Sequence, residues 1–159
     1  MDAIAAADYL GVKRDDMEIS VRRLEAVPHR LQLIRKNSII IIDDAYNSNP
    51  SGAGAALETL GMFDGVKIMV TPGMVELGIA QDECNRRFGI EAAGVCDFVV
   101  LVGERQTGSV LDGLKDASYP DAKIFVVETL KSALDAVEKI DSGCEQKIVL
   151  LENDLPDNY

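Results

Sequence analysis

Five short apolar runs recur along the chain, separated by longer segments with helical spacing. Ser38–Ile42 (SIIII) is a continuous β-branched run, the composition of a strand buried on both faces. Lys67–Thr71 (KIMVT), Asp97–Val102 (DFVVLV), Lys123–Val127 (KIFVV) and Lys147–Leu151 (KIVLL) repeat the theme. The spacing predicts helices over Ser51–Leu60, Gln81–Val95, Ser109–Lys115 and Leu130–Ile140. In the last of these Leu130, Leu134, Val137 and Ile140 fall three or four apart and make one buried stripe. Strand–helix alternation of this kind predicts an α/β domain, a parallel sheet with helices on both faces. Leu31–Arg35 (LQLIR) alternates polar with apolar instead, which suits an antiparallel edge strand hairpinned to Ser38–Ile42 through Lys36-Asn37.

Residues 1–26 differ from the rest. They read as two short helices, Asp2–Leu10 and Met17–Leu24, separated by Gly11, with Asp15 and Asp16 placed to cap the second. Val27-Pro28 then breaks the helix, because proline disfavours helical geometry in the residue before it. This leading piece has too few apolar residues to be a domain and reads as the tail of something that precedes it. No internal repeat or low-complexity stretch interrupts the pattern.

Composition narrows the classes. A chain of 159 residues is one domain's worth and buries roughly 70% of its unfolded surface on folding. With 47% hydrophobic and 27% charged residues it is an ordinary globular composition, not a disordered one. The net charge is −11, and it is uneven: residues 1–36 carry +1 and residues 37–159 carry −12. That excludes sequence-independent nucleic-acid binding, which needs a basic footprint. An anionic ligand must be held by a few placed cations and backbone amides, and the cations lie mainly in the first thirty-six residues. Cys84, Cys96 and Cys144 form no C-x-x-C pair and have only His29 for company, which argues against zinc or a disulfide framework. No apolar run approaches the ~18 residues of a membrane span, and the N-terminus lacks a signal-peptide layout. A cytoplasmic protein with reduced thiols, with no membrane or nucleic-acid partner, is the expectation.

In an open parallel sheet, ligands bind outside the carboxyl ends of the strands. The segments following four of the runs are dense in Gly, Asn, Asp and Arg: Asp43–Pro50, Thr71–Gly78, Gly103–Gly108 and Glu152–Tyr159. Each has a plain alternative. Ser48 and Asn49 are equally suited to capping the helix that follows, with Pro50 in its first turn. Thr71-Pro72-Gly73 suits a turn. Arg105 suits a solvated charge, His29 a structural hydrogen bond, and the Cys84 and Cys96 thiols apolar packing. The acidic pair is harder to dismiss, since strand side chains alternate and one of Asp43 and Asp44 must face inward or into a cleft. A phosphorelay receiver also has an acidic pair after its first strand. It further needs an Asp after the third strand and a Lys after the fifth, whereas Asp97 begins its run and Glu152 follows Leu151. A nucleotide-handling module is the other reading. Neither G-x-x-x-x-G-K-[ST] nor a strand-linked G-x-G-x-x-G is present, so the chain cannot cradle a triphosphate by itself.

Together, Val27-Pro28-His29-Arg30-Leu31, Ile42–Pro50 (IDDAYNSNP) and Pro72–Gly78 (PGMVELG) closely resemble the C-terminal domain of the Mur ligases, in order and in spacing. The resemblance covers about the whole chain. It is nearest to the members that add D-alanyl-D-alanine to the UDP-N-acetylmuramoyl tripeptide. It implies a Rossmann-like three-layer fold, with about six strands, mainly parallel, and one antiparallel edge strand. It also implies that residues 1–26 are the tail of a preceding central ATPase domain and that residues 27–159 are the C-terminal domain. The implied activity is ATP-dependent amide-bond formation in peptidoglycan precursor synthesis. ATP and Mg2+ serve it, bound mainly by the central domain, so this stretch alone is expected to be inactive.

By the same resemblance, Arg30 matches the hinge arginine that reaches the nucleotide, and Asp44 the aspartate that accepts from the ribose hydroxyls. Tyr46 and Asn47 would flank the adenine or its ribose. Arg105 and Gln106 lie where related ligases select the incoming amino acid or dipeptide, and a carboxylate there calls for a cation. One departure stands out. Many family members carry a Gly-Ser-Arg-type loop after the last strand, where this chain has the acidic segment Glu152–Tyr159. A stand-alone nucleotide-binding or receiver-like module is the alternative function.

Overall fold

In the computed structural model, which describes residues 2–23, 27–36, 38–143 and 145–153, the apolar runs gather into one six-stranded sheet. The strands are β1 (Gln32–Lys36), β2 (Ile39–Asp44), β3 (Val66–Thr71), β4 (Phe98–Val102), β5 (Ile124–Val127) and β6 (Lys147–Glu152). Their order across the sheet is β1-β2-β6-β3-β4-β5. Only β1 runs antiparallel, with Leu33 opposite Ile42; the other pairings are parallel. The fold is therefore the expected three-layer α/β one.

β2 and β6 are inner strands of this sheet, and their side chains alternate between two apolar faces. Ile40 and Ile42 point to one face with Ile148 and Leu150, and Ile39 and Ile41 point to the other with Val149. Helices α3 (Pro50–Gly61), α4 (Gln81–Ala93) and α5 (Gly108–Asp116) cover the first face through Leu57, Leu60, Phe88, Val110 and Leu114. Helix α6 (Leu130–Lys139) covers the second through Ala133 and Val137. Lys147 donates from Nζ to the carbonyls of Val137 and Glu138, satisfying the end of α6. Helices α4 and α5 approach closely because two glycines face each other. A Cβ on Gly113 would lie 1.9 Å from the Arg86 carbonyl oxygen, and one on Gly89 would lie 2.2 Å from that of Val110.

At the N-terminus, α1 (Asp2–Tyr9) and α2 (Arg14–Arg22) are separate from this core, with Ile4, Tyr9, Ile19 and Val21 exposed. The second helix starts at Arg14 rather than Met17. Asp15 and Asp16 lie inside its first turn and do not cap it; Lys13 holds the cap position without a side-chain bond. Both carboxylates still favour the positive end of the helix dipole. Asn37 of the expected hairpin turn, Leu24, Cys144 and the segment 154–159 lie outside the described residues.

Candidate functional site

The sheet order brings the four polar strand ends together. β2, β6, β3 and β4 are consecutive neighbours, so the loops that follow them form one continuous carboxyl edge. β6 enters between β2 and β3 after the chain has crossed to the opposite face through α6, which gives the kind of crevice where such sheets bind ligands.

Alternation at the end of β2 sends the two carboxylates to opposite faces. Asp43 is 6% exposed; its Oδ2 meets His29 Nδ1 at 2.9 Å and its Oδ1 accepts from the Ala45 amide. Asp44 lies on the α3 face, and its Oδ1 accepts from the Leu31 amide at 3.0 Å. The acidic pair thus pins the segment before β1 on both sides of Arg30. His29 and Leu31 both adopt positive φ, 58° and 49°, a left-handed conformation that non-glycine residues hold only when their surroundings dictate it. The constraint directs Arg30 to its place. Its guanidinium carbon sits 4.5 Å from the centroid of the exposed Tyr46 ring, a cation–π contact. Arg30, Asp44 and Tyr46, distant in their chemistry but close in this edge, therefore come together. Asn47 lies exposed just beyond Tyr46.

Of the two residues suited to capping, Asn49 does so: its Oδ1 accepts from Gly52 N, with Pro50 at the first helical position. Ser48 has another task. Its Oγ donates to Glu152 Oε1 at 2.5 Å and its amide donates to Asn153 Oδ1 at 3.0 Å. Asn153 in turn donates from Nδ2 to the Gly73 carbonyl. The end of β6 is therefore a clasp between the loops after β2 and β3. Asn85 braces the second loop by accepting from the Met74 amide and donating to the Met74 carbonyl. Glu152 is 1% exposed, and its Oε2 has no partner among the described residues. Burial, aided by the Asp44 carboxylate and opposed by the Ser48 hydroxyl, pushes its carboxyl group up to about 7.

On the far side, the loop after β4 carries Arg105 and Gln106, both exposed. Gln106 donates from Nε2 to the Pro72 carbonyl, so its amide already braces the neighbouring loop. Arg105 forms no ion pair among the described residues. Three strand steps separate this loop from Asp44, about 14 Å at the usual spacing. The thiols behave as packing groups: Cys96 is buried, and burial pushes it up to about 12. Sequence reasoning missed the Glu152–Asn153 clasp and the pinning of residues 29–31. The only signal was the density of polar residues after Leu151 and the doubling of the aspartates.

The model of the family described as "Mur ligase, glutamate ligase domain" matches residues 29–152. The chain belongs to the Mur ligase family. The UDP-N-acetylmuramoyl-tripeptide–D-alanyl-D-alanine ligase of Escherichia coli is 33% identical over 110 residues, covering 65% of this chain and 24% of the relative. A crystal structure of MurF from Acinetobacter baumannii matches 96% of this chain and 33% of that one, with 28% identity and a TM-score of 0.78. MurF from Thermotoga maritima, solved in complex with ADP, shares the fold at 24% identity and a TM-score of 0.74. The chain spans about a quarter of the length of the first relative and a third of the first structure. No helix among the described residues is long and apolar enough to cross a membrane.

Proposed function

We propose that this chain is the C-terminal, nucleotide-closing part of an ATP-dependent amide-bond ligase of peptidoglycan precursor synthesis, working in the cytoplasm. The reading makes residues 1–26 the end of a central ATPase domain, an origin in keeping with the exposed apolar side chains of α1 and α2. The observation that carries it is the cluster of Arg30, Tyr46 and Asp44 on the carboxyl edge. Asp44 keeps lone pairs available beyond the Leu31 amide, and a vicinal diol such as ribose is the natural donor pair for them. Arg30 is always charged and offers a planar fork to phosphate or ribose oxygens, with Tyr46 holding its plane. Tyr46 and Asn47 would flank the adenine or its ribose.

The chemistry at such a site is activation of the acceptor carboxylate, on a UDP-N-acetylmuramoyl peptide, by phosphoryl transfer from ATP. Magnesium in this reading would be held mainly by the central domain; the described residues contain no group of three or more His, Cys, Asp or Glu side chains able to hold a metal ion. Arg105 and Gln106 would receive the incoming group, D-alanyl-D-alanine in this reading, with Arg105 answering its carboxylate. The amine would then attack the acyl-phosphate carbonyl, forming the amide C–N bond as phosphate leaves. This chain's part would be to hold the ribose and the carboxylate of the incoming group at two ends of one edge, about 14 Å apart, so that the reacting atoms between them can meet.

In the complete enzyme, Asp44→Ala is expected to raise the apparent KM for ATP about tenfold or more, the loss of one charge-assisted contact pair. Its circular dichroism should remain that of the folded protein. Unchanged ATP kinetics in a folded variant would remove the reading.

A further inference from the structure

Glu152 is a buried carboxyl group with one oxygen unpaired among the described residues. It is 1% exposed, its Oε1 accepts from Ser48, and its Oε2 is buried with nothing to bond among the described residues. It pairs in register with Asp44 on the adjacent parallel strand, so the two side chains project from the same face of the sheet. An ionised carboxylate can only accept hydrogen bonds, and two ionised carboxylates side by side in a buried place repel. A proton between them supplies the donor that Oε2 lacks. We propose that Glu152 is a positioning residue for Asp44: held as the neutral acid, it donates from Oε2 to the Asp44 carboxylate and sets the charge the pair presents to a nucleotide. This inference rests on the reading of Asp44 as a nucleotide contact.

The groups facing the pair are few. The segment before β1 brings His29, bonded to Asp43 on the opposite face, and Arg30; the loop before α3 brings Tyr46 and the hydroxyl of Ser48. The other neighbour of β6, β3, ends in the neutral Thr71. Helix α3, packed against β6 on this face, carries one titratable side chain, the exposed Glu58, and Asp44 is the carboxylate whose charge acts on Glu152. Burial and that neighbour both favour the protonated form. With one proton the pair carries a single negative charge, and Asp44 keeps its acceptor lone pairs for hydroxyl donors. Loss of the proton adds a second negative charge where the nucleotide, itself anionic, must approach.

Two measurements on the complete protein test this. The first follows glutamate side-chain carboxyl signals by carbon-13 NMR through a pH titration without nucleotide. One glutamate is expected to titrate near neutrality, to vanish in Glu152→Gln, and to move to lower pH in Asp44→Asn. A Glu152 that titrates in the ordinary carboxylate range, or is indifferent to Asp44→Asn, overturns the inference whatever the nucleotide does. The second measures ADP affinity from pH 6 to 8 in the wild type and in Glu152→Gln. The ratio of the two is read, because the phosphate also titrates in this range. The wild type is expected to lose about five- to tenfold relative to the variant, whose amide donates to Asp44 at every pH. A constant ratio overturns the inference. Asp44→Asn then tells which reading failed: lost ADP binding leaves the nucleotide site standing, whereas unchanged binding removes the site as well.

Discussion

At the scale of single residues, the acidic pair Asp43-Asp44 shows how alternation sends two neighbouring side chains to different partners. Adjacent strand positions must face opposite ways, so one carboxylate holds His29 and the other reaches the α3 face and the Leu31 amide. That division was legible in the sequence; the partners were not, because His29 and Leu31 reach the pair only through a left-handed backbone that no local signal announces. Glu152 was visible only as an unexpected acid after the last strand. Its folded value, raised from 4.5 to about 7, means that the folded state binds the proton more tightly. The stability this contributes is fully present below about 4.5 and is lost as pH rises through about 7, about 3 kcal/mol in all. Glu152→Gln removes the titration. The stability of that variant relative to the wild type is therefore expected to grow between pH 5 and pH 8, by several degrees in Tm; a constant difference would contradict the raised value. Arg105 poses a different question, since it has no ion-pair partner of its own among the described residues. In the complete enzyme, Arg105→Ala is expected to raise the KM for the incoming dipeptide about tenfold and that for ATP by less than about twofold. Equal dipeptide KM values would make it a solvated charge.

Among the elements, the periodic ones were the easiest to read. Each strand and each helix of the core was expected within a few residues of its place, because burial of apolar runs and stripes drives the packing. The stripe of α6 is not wholly buried, since Leu134 is exposed and Ala133 packs beside Val137 and Ile140 instead. Shorter-range chemistry was less legible. Asp15 and Asp16 suit a cap, yet α2 starts ahead of them at Arg14, and Ser48 clasps Glu152 while Asn49 caps α3. Such choices depend on neighbours distant in sequence. The α4–α5 contact is another case: nothing in the sequence pairs Gly89 with Gly113, yet their missing side chains let the two helices touch. Gly113→Ala would drive a methyl group into the Arg86 carbonyl and is expected to cost about 1–3 kcal/mol or more. Gly108→Ala, at the open start of α5 with nothing within 4 Å, should be neutral or stabilising by up to about 1 kcal/mol. Similar Tm values for the two variants would contradict this packing.

The whole molecule joins these parts through the order of its strands. Chain order places the last strand far from β2 and β3, and sequence alone left its position in the sheet open. The fold inserts it between them, and Glu152 and Asn153 tie their loops. The charge distribution fits the same picture, since a chain of net charge −11 must bring an anionic ligand to a placed cation, and Arg30 is held beside Tyr46 by residues pinned on either side of it. The central claim is that this edge receives a nucleotide. Its most direct test is a crystal structure of the complete protein with ADP bound. The account predicts the ribose hydroxyls within hydrogen-bond distance of Asp44, with Arg30 and Tyr46 against the nucleotide. An ADP molecule well ordered elsewhere, with Asp44 and Arg30 contacting only protein, would contradict it.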